Sequence, residues 1–231
     1  MIKNTIVKSV LNKLIRYYFT LLELLIVIAI ISILTALLLP SLSKVKAQMG
    51  RTACLNVERQ TGNAFMLYLQ DNNDFYPPYR DYGSPEKYWY GGNDTYGFLA
   101  QYLGINDGWH HSPTYLLGIG VSIKTSGSVI YRNKFNCQAR NDFSEGINFD
   151  YGYSSNVYSS ARKGTRFRTP SRTCLLSESI QYSSFSASTA SSYMGFRHSD
   201  GANVLFSDFH VSWMKHTDIP QSSLNPFWKP E

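Results

Sequence analysis

Residues 17–42 read YYFTLLELLIVIAIISILTALLLPSL, and this stretch decides the fold. The 21 residues that begin at Phe19 contain a single charged side chain, Glu23, and are otherwise overwhelmingly apolar. At about 1.5 Å per residue a helix of that length spans roughly 31 Å, which matches the roughly 30 Å hydrocarbon core of a bilayer. Pro40 closes the run. The pattern therefore predicts a transmembrane helix over residues 19–40.

The charge distribution predicts the orientation of that helix. The chain has a formal net charge of +6, and four of its positive residues lie within the first 18, where there is no acid: Lys3, Lys8, Lys13 and Arg16. Removing these four leaves +2 for the rest of the chain, which shows no stripe of Lys or Arg. Positive residues before a span place the N-terminus in the cytoplasm. The basic balance therefore indicates membrane topology and argues against a nucleic-acid partner.

A second helical pattern follows Pro40. Apolar residues recur at helical spacing, at Leu42, Val45, Met49, Ala53, Val57, Ala64 and Tyr68. Polar residues lie between them: Lys44, Lys46, Gln48, Arg51, Glu58 and Arg59. This pattern predicts that the helix continues over residues 41–72 as an amphipathic rod, kinked near Pro40 and stopped by Asp71-Asn72-Asn73-Asp74. A cleaved secretory signal is the alternative, but such a signal has a shorter apolar core and no helical continuation.

The remainder, residues 73–231, is predicted to form a β-rich head. Aromatic residues make up 15% of the chain and charged residues only 16%, so the head is expected to fold and not to be disordered. Segments such as RTCLLSES have strand composition, and ANVLFSDFHVSWM fits two strands around Ser207-Asp208-Phe209. Phe209 disfavours a positive φ, so this turn is expected to be of a different type from Asp-Gly, or strained. The predicted fold class is α+β, with the helix laid on an antiparallel sheet after a basic leader at residues 1–18.

Two stretches carry a resemblance to a known family. FTLLELLIVIAIISILTALLLP resembles the N-terminal segment of type IV prepilins and type II secretion pseudopilins, with a Phe, a Glu four residues later, an apolar run and a closing Pro. RTACLNVERQTGNAFMLYLQDNNDFYPPY and RHSDGANVLFSDFHVSWM resemble a bacterial subgroup of pilin-like proteins. That subgroup ends in a signature of His, nine residues and Asp-Gly. Here the signature residues are His198 and Asp208, with Phe209 in place of the Gly.

The resemblance implies a pilin-like structural subunit and not an enzyme. In that family a prepilin peptidase cuts before the Phe, here between Tyr18 and Phe19, and methylates the new amine. The implied partners are this peptidase, other pilin-like subunits, an inner-membrane assembly platform and membrane lipid. The implied location is the bacterial inner membrane, with a single pass and a head in the periplasm or at the cell surface. Glu23 is expected to pair with the freed amine of a neighbouring subunit and so to fix the stagger between chains, with Pro40 as the second assembly residue.

Two alternatives remain open at this stage. The family carries a small residue, usually Gly, before the cut, whereas this chain has Tyr18. Without cleavage the chain is a bitopic membrane protein whose Tyr-rich head binds an extracellular ligand such as a polysaccharide. Glu23 would then lie at the headgroup boundary and pair with Arg16 or with lipid.

The sequence gives no catalytic or cofactor-binding set, and its candidate metal ligands have structural alternatives. His198, Asp200, Asp208 and His210 have metal-ligand types, but Asp200-Gly201 indicates a turn in which His198 and Asp208 bind backbone groups. Asp71 and Asp74 offer weak ligands for Ca²⁺ and are equally caps at a helix end. The resemblance implies a disulfide between Cys54 and Cys137, because the subgroup carries cysteines at these positions. Cys174, in an apolar segment, is expected to be a buried thiol.

Overall fold

The computed structural model of the chain combines one long N-terminal helix with a head built around β-sheets. It describes residues 20–82, 87–90, 97–104, 121–124, 130–131, 135–137, 139–140, 146–155, 163–180, 182 and 184–228. The chain divides into two compact units, residues 1–45 and residues 46–231. The layout is α+β, as the sequence predicts.

The long helix α1 covers Leu21–Asp71, a run of 51 residues with Pro40 inside it. Every residue from Thr20 to Val45 is exposed. The most apolar 18-residue window of the helix has a mean hydropathy of 2.9. By length and composition α1 can cross a membrane, and it is the one helix with that property in the described part of the chain.

The head contains ten short strands and a short second helix in its described part. The strands are β1 Arg80–Asp81, β2 Lys87–Tyr88, β3 Val121–Lys124, β4 Ile130–Tyr131, β5 Gly146–Phe149, β6 Tyr151–Ser154, β7 Cys174–Glu178, β8 Ser184–Phe185, β9 Gly201–Phe206 and β10 Val211–Lys215. The second helix, α2, covers Ala190–Tyr193. Single 3₁₀ turns occur at Ala100–Leu103, Gly164–Arg166, Pro170–Arg172 and His216–Asp218.

The main sheet has five strands in the order β10-β9-β7-β6-β8. Three of its pairings are antiparallel, but β6 and β8 are parallel, with Tyr153 opposite Ser184. The prediction of a purely antiparallel sheet is therefore wrong. After β7 the chain crosses to the far edge of β6 and reverses direction. Because β7 runs antiparallel to β6, the reversed strand β8 must run parallel to it.

The C-terminal half of α1 covers one face of this sheet. Its buried residues are Cys54, Val57, Glu58, Thr61, Gly62, Ala64, Phe65, Tyr68 and Leu69. The apolar ones among them form one core cluster with sheet residues such as Tyr151, Leu176 and Leu205. This apolar interface holds the helix and the sheet together in one folded unit.

The predicted apolar stripe of α1 is buried in its second part and exposed in its first. Val57, Ala64 and Tyr68 are buried, whereas Leu42, Val45 and Met49 are 63%, 53% and 67% exposed. Glu58 was predicted on the polar face and is fully buried. The reason is helical geometry: Glu58 lies four residues after Cys54 and seven before Phe65, which places all three on the face that contacts the sheet.

The opposite face of the sheet is also buried. The alternate residues Ala202, Val204 and Phe206 of β9 point away from α1 into a second core cluster. Phe227 and Trp228 from the C-terminal segment complete this cluster, and the backbone N–H of Cys174 donates to the Phe227 carbonyl at 2.9 Å. The central strands β7 and β9 therefore have no solvated face.

The β9–β10 hairpin agrees with the predicted pair of strands. Leu205 lies opposite Val211 and Gly201 opposite Lys215. Phe209 in the turn has a φ of 69°, so the turn adopts the positive φ that a Phe disfavours. The sequence predicts either a different turn type or a strained turn, and the structure has the strained turn.

Substitution of two glycines by alanine tests this packing. A Cβ at Gly201 would lie 2.5 Å from two ring atoms of Trp213 and would collide with the Met214 carbonyl oxygen. We expect Gly201→Ala to lower the free energy of unfolding by about 1–3 kcal/mol, because the hairpin must open to admit the methyl group. Urea denaturation of the full-length chain in detergent, followed by tryptophan fluorescence, measures this change.

Gly50→Ala is the matched control. Its Cβ would make an ordinary contact of 3.5 Å with the Ala139 Cβ, and the helix gains propensity. We expect Gly50→Ala to be neutral or to raise the free energy of unfolding by up to about 1 kcal/mol. Equal effects of the two substitutions would contradict the described packing of the hairpin.

Candidate functional site

The start of α1 holds the first candidate site. Thr20 precedes the helix, and Glu23 lies in its first turn. The Glu23 Oε2 atom accepts hydrogen bonds from the backbone N–H of Thr20 at 2.8 Å and from its hydroxyl at 3.1 Å. The Thr20 hydroxyl oxygen in turn accepts from the backbone N–H of Glu23 at 3.2 Å. This reciprocal arrangement is a capping box, which fixes where the helix begins. Tyr18 and Phe19 lie outside the described residues.

A second candidate is buried in the head, between α1 and the main sheet. Five side chains from four parts of the chain meet there. They are Cys54 and Glu58 from α1, Cys137 from residues 135–137, Glu178 from the end of β7, and His198, which lies just before β9. We call these five residues the buried cluster. Cys54 and Cys137 form a disulfide, with their Cα atoms 5.0 Å apart, which links α1 to the head.

The polar atoms of the cluster are close together. One ligand atom each from Cys54, Cys137, Glu178 and His198 lie within 4.8 Å of one another. The His198 Nε2 atom is 2.8 Å from Glu178 Oε1 and 3.8 Å from Cys137 Sγ. Asn203 Nδ2 also donates to Glu178 Oε1, at 2.9 Å. These contacts place sulfur, nitrogen and oxygen donors around one point.

Several oxygens of this region have no hydrogen-bond partner among the described residues. They are both carboxylate oxygens of Glu58, the Oε2 atom of Glu178 and the hydroxyl of Tyr151. All three residues are fully buried. An unpaired buried oxygen costs on the order of 1–3 kcal/mol, and an unpaired buried charge costs more. A proton on a carboxyl group or a bound cation would compensate these unpaired oxygens.

Burial raises the pKa values of several ionisable groups in and around the cluster. Burial and the neighbouring Glu178 raise the pKa of Glu58 well above 4.5. Burial also raises the pKa of Glu178, against the opposing effect of His198 and Arg197. Burial raises the pKa of Tyr151 and of Cys174, and the Glu58 charge acts on both in the same direction. Glu58 therefore holds a proton in the folded chain to a higher pH than in the unfolded chain.

Neighbouring groups fix the positions of the cluster side chains. The Cys137 backbone N–H and Asn136 Nδ2 donate to Asp150 Oδ2 at 2.9 and 2.8 Å, and Arg140 pairs with Asp150 Oδ1 at 3.0 Å. The His198 carbonyl accepts from the Trp213 indole N–H at 2.8 Å. The backbones of Cys137 and His198 are therefore each held in place by a hydrogen bond to another residue of the head.

The metal constellation suggested by the sequence is not assembled. His198 and Asp208 lie at opposite ends of β9, and only His198 belongs to the buried cluster. Asp208 accepts from the backbone N–H of His210 at 3.2 Å and pairs with its ring Nδ1 at 2.5 Å, on the exposed side of the turn. The expected hydrogen bond to backbone is present for the Asp208 side chain. The side chain of His198 instead contacts a carboxylate.

The suggested calcium ligands bind protein groups. Asp71 Oδ2 accepts from the Tyr102 hydroxyl at 2.8 Å, and Asp74 Oδ2 accepts from the Thr165 backbone N–H at 2.7 Å. Within the described ranges they do not belong to any group of three or more potential ligands that could hold a metal ion. Their role in the structure is to attach loops to the end of α1.

Sequence reasoning missed Glu58, Glu178 and Asn203. A signal for Glu58 was present, since the positions of Cys54, Glu58 and Thr61 follow one helical face. Glu178 also had a signal, as the lone carboxylate of the apolar segment TCLLSES. The sequence gives no comparable signal for Asn203, because an amide in a strand is common on a solvated face.

Comparison of the chain with models of known protein families, with curated proteins and with solved structures found no match. The functional proposal for the chain therefore rests on its own residues and their geometry.

The buried acid predicts a pH-dependent stability. Because folded Glu58 keeps its proton to a higher pH than the unfolded chain, the free energy of unfolding falls as pH rises from about 4.5 towards the raised pKa. We expect Glu58→Gln to weaken this fall, and to be more stable than the wild type at neutral pH. Urea denaturation between pH 4 and pH 8 measures both curves. Glu178, whose pKa is also raised by burial, remains in the variant and gives a remaining slope of the same sign.

Gln60→Glu is the control, because Gln60 is exposed on the same helix. An added carboxylate there should leave the pH dependence close to that of the wild type. A Glu58→Gln curve with the wild-type slope would show that Glu58 does not titrate between the folded and unfolded states as described.

Proposed function

We propose that the chain is a pilin-like subunit of a type IV pilus or type II secretion filament, cut before Phe19 and assembled through α1. The observation that supports this proposal is the part of α1 before Pro40, which is exposed and apolar on all sides and has Glu23, in the first turn, as its one charged side chain. Its exposed large apolar side chains include Leu25, Ile31 and Leu38, at 63%, 53% and 63%. A helix that is apolar all round needs an apolar environment on every side.

Two environments satisfy this requirement, and a filament subunit uses both. Before assembly the lipid bilayer covers the helix, and the basic residues ahead of it remain in the cytoplasm. After assembly the helices of neighbouring subunits cover one another. The head is then in the periplasm or at the cell surface, and the location of the subunit before assembly is the bacterial inner membrane.

Glu23 gives the assembly its register. Both hydrogen bonds from Thr20 go to Oε2, and the Oε1 atom of Glu23 has no partner among the described residues. A cationic amine from an adjacent subunit can therefore bind Oε1 without disturbing the cap. A carboxylate on a membrane-embedded helix costs roughly 2.5–3.5 kcal/mol near the bilayer centre and somewhat less near its edge, so an assembly that leaves Glu23 unpaired is disfavoured.

The proposed partner is the amine that cleavage creates at Phe19 of the neighbouring subunit. Each subunit then supplies one anion, Glu23, and one cation, the Phe19 amine, to the apolar core of the filament. Each ion pair links two adjacent subunits. Any other stagger leaves both charges unpaired in low dielectric. In this proposal a prepilin peptidase, an assembly platform and other pilin-like subunits are the protein partners.

Cleavage is the first testable step. We expect the chain isolated from its native membranes to lack residues 1–18 and to carry one methyl group on the amine of Phe19. Intact-mass spectrometry measures both changes. A chain that retains its first 18 residues would support the alternative, a bitopic membrane protein whose head binds an extracellular ligand such as a polysaccharide.

Substitution of Glu23 tests the register. We expect Glu23→Ala and Glu23→Gln to reduce the assembled filament by about tenfold or more, as the loss of at least about 1.4 kcal/mol per contact requires. Sheared filaments compared with the membrane-bound pool by immunoblot give the measurement.

Thr35→Ala is the matched control, because the Thr35 hydroxyl is exposed on the same helix and donates only to the backbone carbonyls of Ile31 and Ser32. This variant should assemble like the wild type. Normal assembly of both Glu23 variants would remove the pairing from the proposal.

A further inference from the structure

We propose that the dithiol form of the head binds one Zn²⁺ ion in the buried cluster, through Cys54, Cys137, His198 and Glu178. The disulfide of the structure and this zinc site are then two alternative states of one cross-link between α1 and the head. The inference does not depend on filament assembly, because all four ligands lie in the unit formed by residues 46–231.

The donor set fits zinc in type and number. Zinc in proteins is bound by Cys, His and carboxylate ligands, most often four of them in a tetrahedron. With zinc–sulfur bonds of about 2.3 Å and zinc–nitrogen or zinc–oxygen bonds of about 2.0 Å, the edges of that tetrahedron are about 3.3–3.8 Å. All four donor atoms lie within 4.8 Å of one another, and the Cys137 Sγ to His198 Nε2 distance is already 3.8 Å. Opening the disulfide and adding the ion therefore requires small movements of side chains.

An independent observation also indicates a cation. The Oε2 atom of Glu178 and both oxygens of Glu58 are buried without partners among the described residues. Buried carboxylate oxygens in this state are compensated by protons or by a cation. A zinc ion provides a positive charge beside Glu178, and Glu58, one helical turn after Cys54, lies in the surrounding shell.

Hydrogen bonds within the head hold two of the proposed ligands in place. Asn203 donates to Glu178 Oε1 at 2.9 Å and also to the Arg51 carbonyl at 3.4 Å, which connects the ligand strand to α1. The Trp213 indole fixes the backbone of His198. Ligands that are oriented before the ion arrives lose little freedom on binding.

The two states differ by a defined chemistry. Zinc binding replaces the two thiol protons, which pass to solvent, and no electrons are transferred. Closure of the disulfide passes two electrons and two protons to a thiol–disulfide oxidant and leaves no sulfur able to bind the ion. The zinc state therefore belongs to the chain before oxidation. It keeps Cys54 beside Cys137 and apart from Cys174, the third cysteine, which is buried and free.

The test uses the full-length chain in detergent micelles. A water-soluble phosphine reduces the disulfide to two thiols and becomes the phosphine oxide with an oxygen atom from water. The phosphine is then removed under nitrogen and the protein is titrated with Co²⁺, a spectroscopic probe for zinc sites. We expect one Co²⁺ per chain, with thiolate-to-cobalt charge-transfer bands and visible bands of tetrahedral intensity, and full displacement by one equivalent of Zn²⁺.

The oxidised wild-type protein is the first control, since it has the same sequence and an intact disulfide. It should show no charge-transfer band. Cys174→Ala is the second control and should bind one Co²⁺ like the wild type, because this thiol lies outside the ligand set. His198→Ala and Glu178→Gln should weaken Co²⁺ binding at least tenfold.

A second measurement on the wild-type chain avoids variants that fail to fold. Zn²⁺ should slow alkylation of Cys54 and Cys137 in the reduced protein by tenfold or more, as read from peptide masses. Cys174 serves as the internal reference. The proposal is overturned if the reduced wild-type chain gives no charge-transfer band, or if Zn²⁺ leaves the alkylation of both cysteines unchanged.

Discussion

The head depends on the packing of one half of α1 against one face of its main sheet. The buried side chains between Cys54 and Leu69 supply a large part of the core on that face, and strands β7 and β9 already use their other face for a second core. Without the helix, residues such as Tyr151 and Leu205 would be exposed. The same chain segment therefore serves as the last part of α1 and as a structural layer of the head.

This interface is unusual because it encloses two acids. A helix packed on a sheet is stabilised by burial of apolar area, at roughly 25 cal/mol per Å², and a buried acid opposes that gain. Glu58 and Glu178 are both fully buried. Apolar side chains of similar size would stabilise the head more, because buried ionic groups are often replaced with a gain in stability. Packing alone therefore does not account for two acids beside His198 and two sulfurs.

Much of the fold is encoded locally and could be predicted. The apolar run that follows Phe19, the helical spacing of Val57, Ala64 and Tyr68, and the alternation in β9 and β10 each depend on neighbours in sequence. The parallel pairing of β8 could not be predicted, because it depends on the path of a loop. The cluster around His198 could not be predicted either, since Cys54, Cys137, Glu178 and His198 are separated by 83, 41 and 20 residues in turn along the chain and meet only when the helix covers the sheet. Glu58 was misplaced because charge, and not helical phase, decided its predicted face.

The two glutamates of α1 present one physical problem at two positions. In this helix of 51 residues Glu58 is buried in the head, and the proposed membrane and filament environments also keep water from Glu23. In a medium of low dielectric constant an unpaired carboxylate is costly. The arrangement in which it meets a positively charged partner is therefore strongly favoured over the others. In the proposed filament the partner of Glu23 comes from another chain, and its charge then sets the register between subunits. For Glu58 the compensation comes from within the head, as a proton on its own carboxyl group or as the proposed ion held by its neighbours. The state of the buried cluster is therefore a property of each folded chain, whereas the proposed pairing of Glu23 is a property of the assembly.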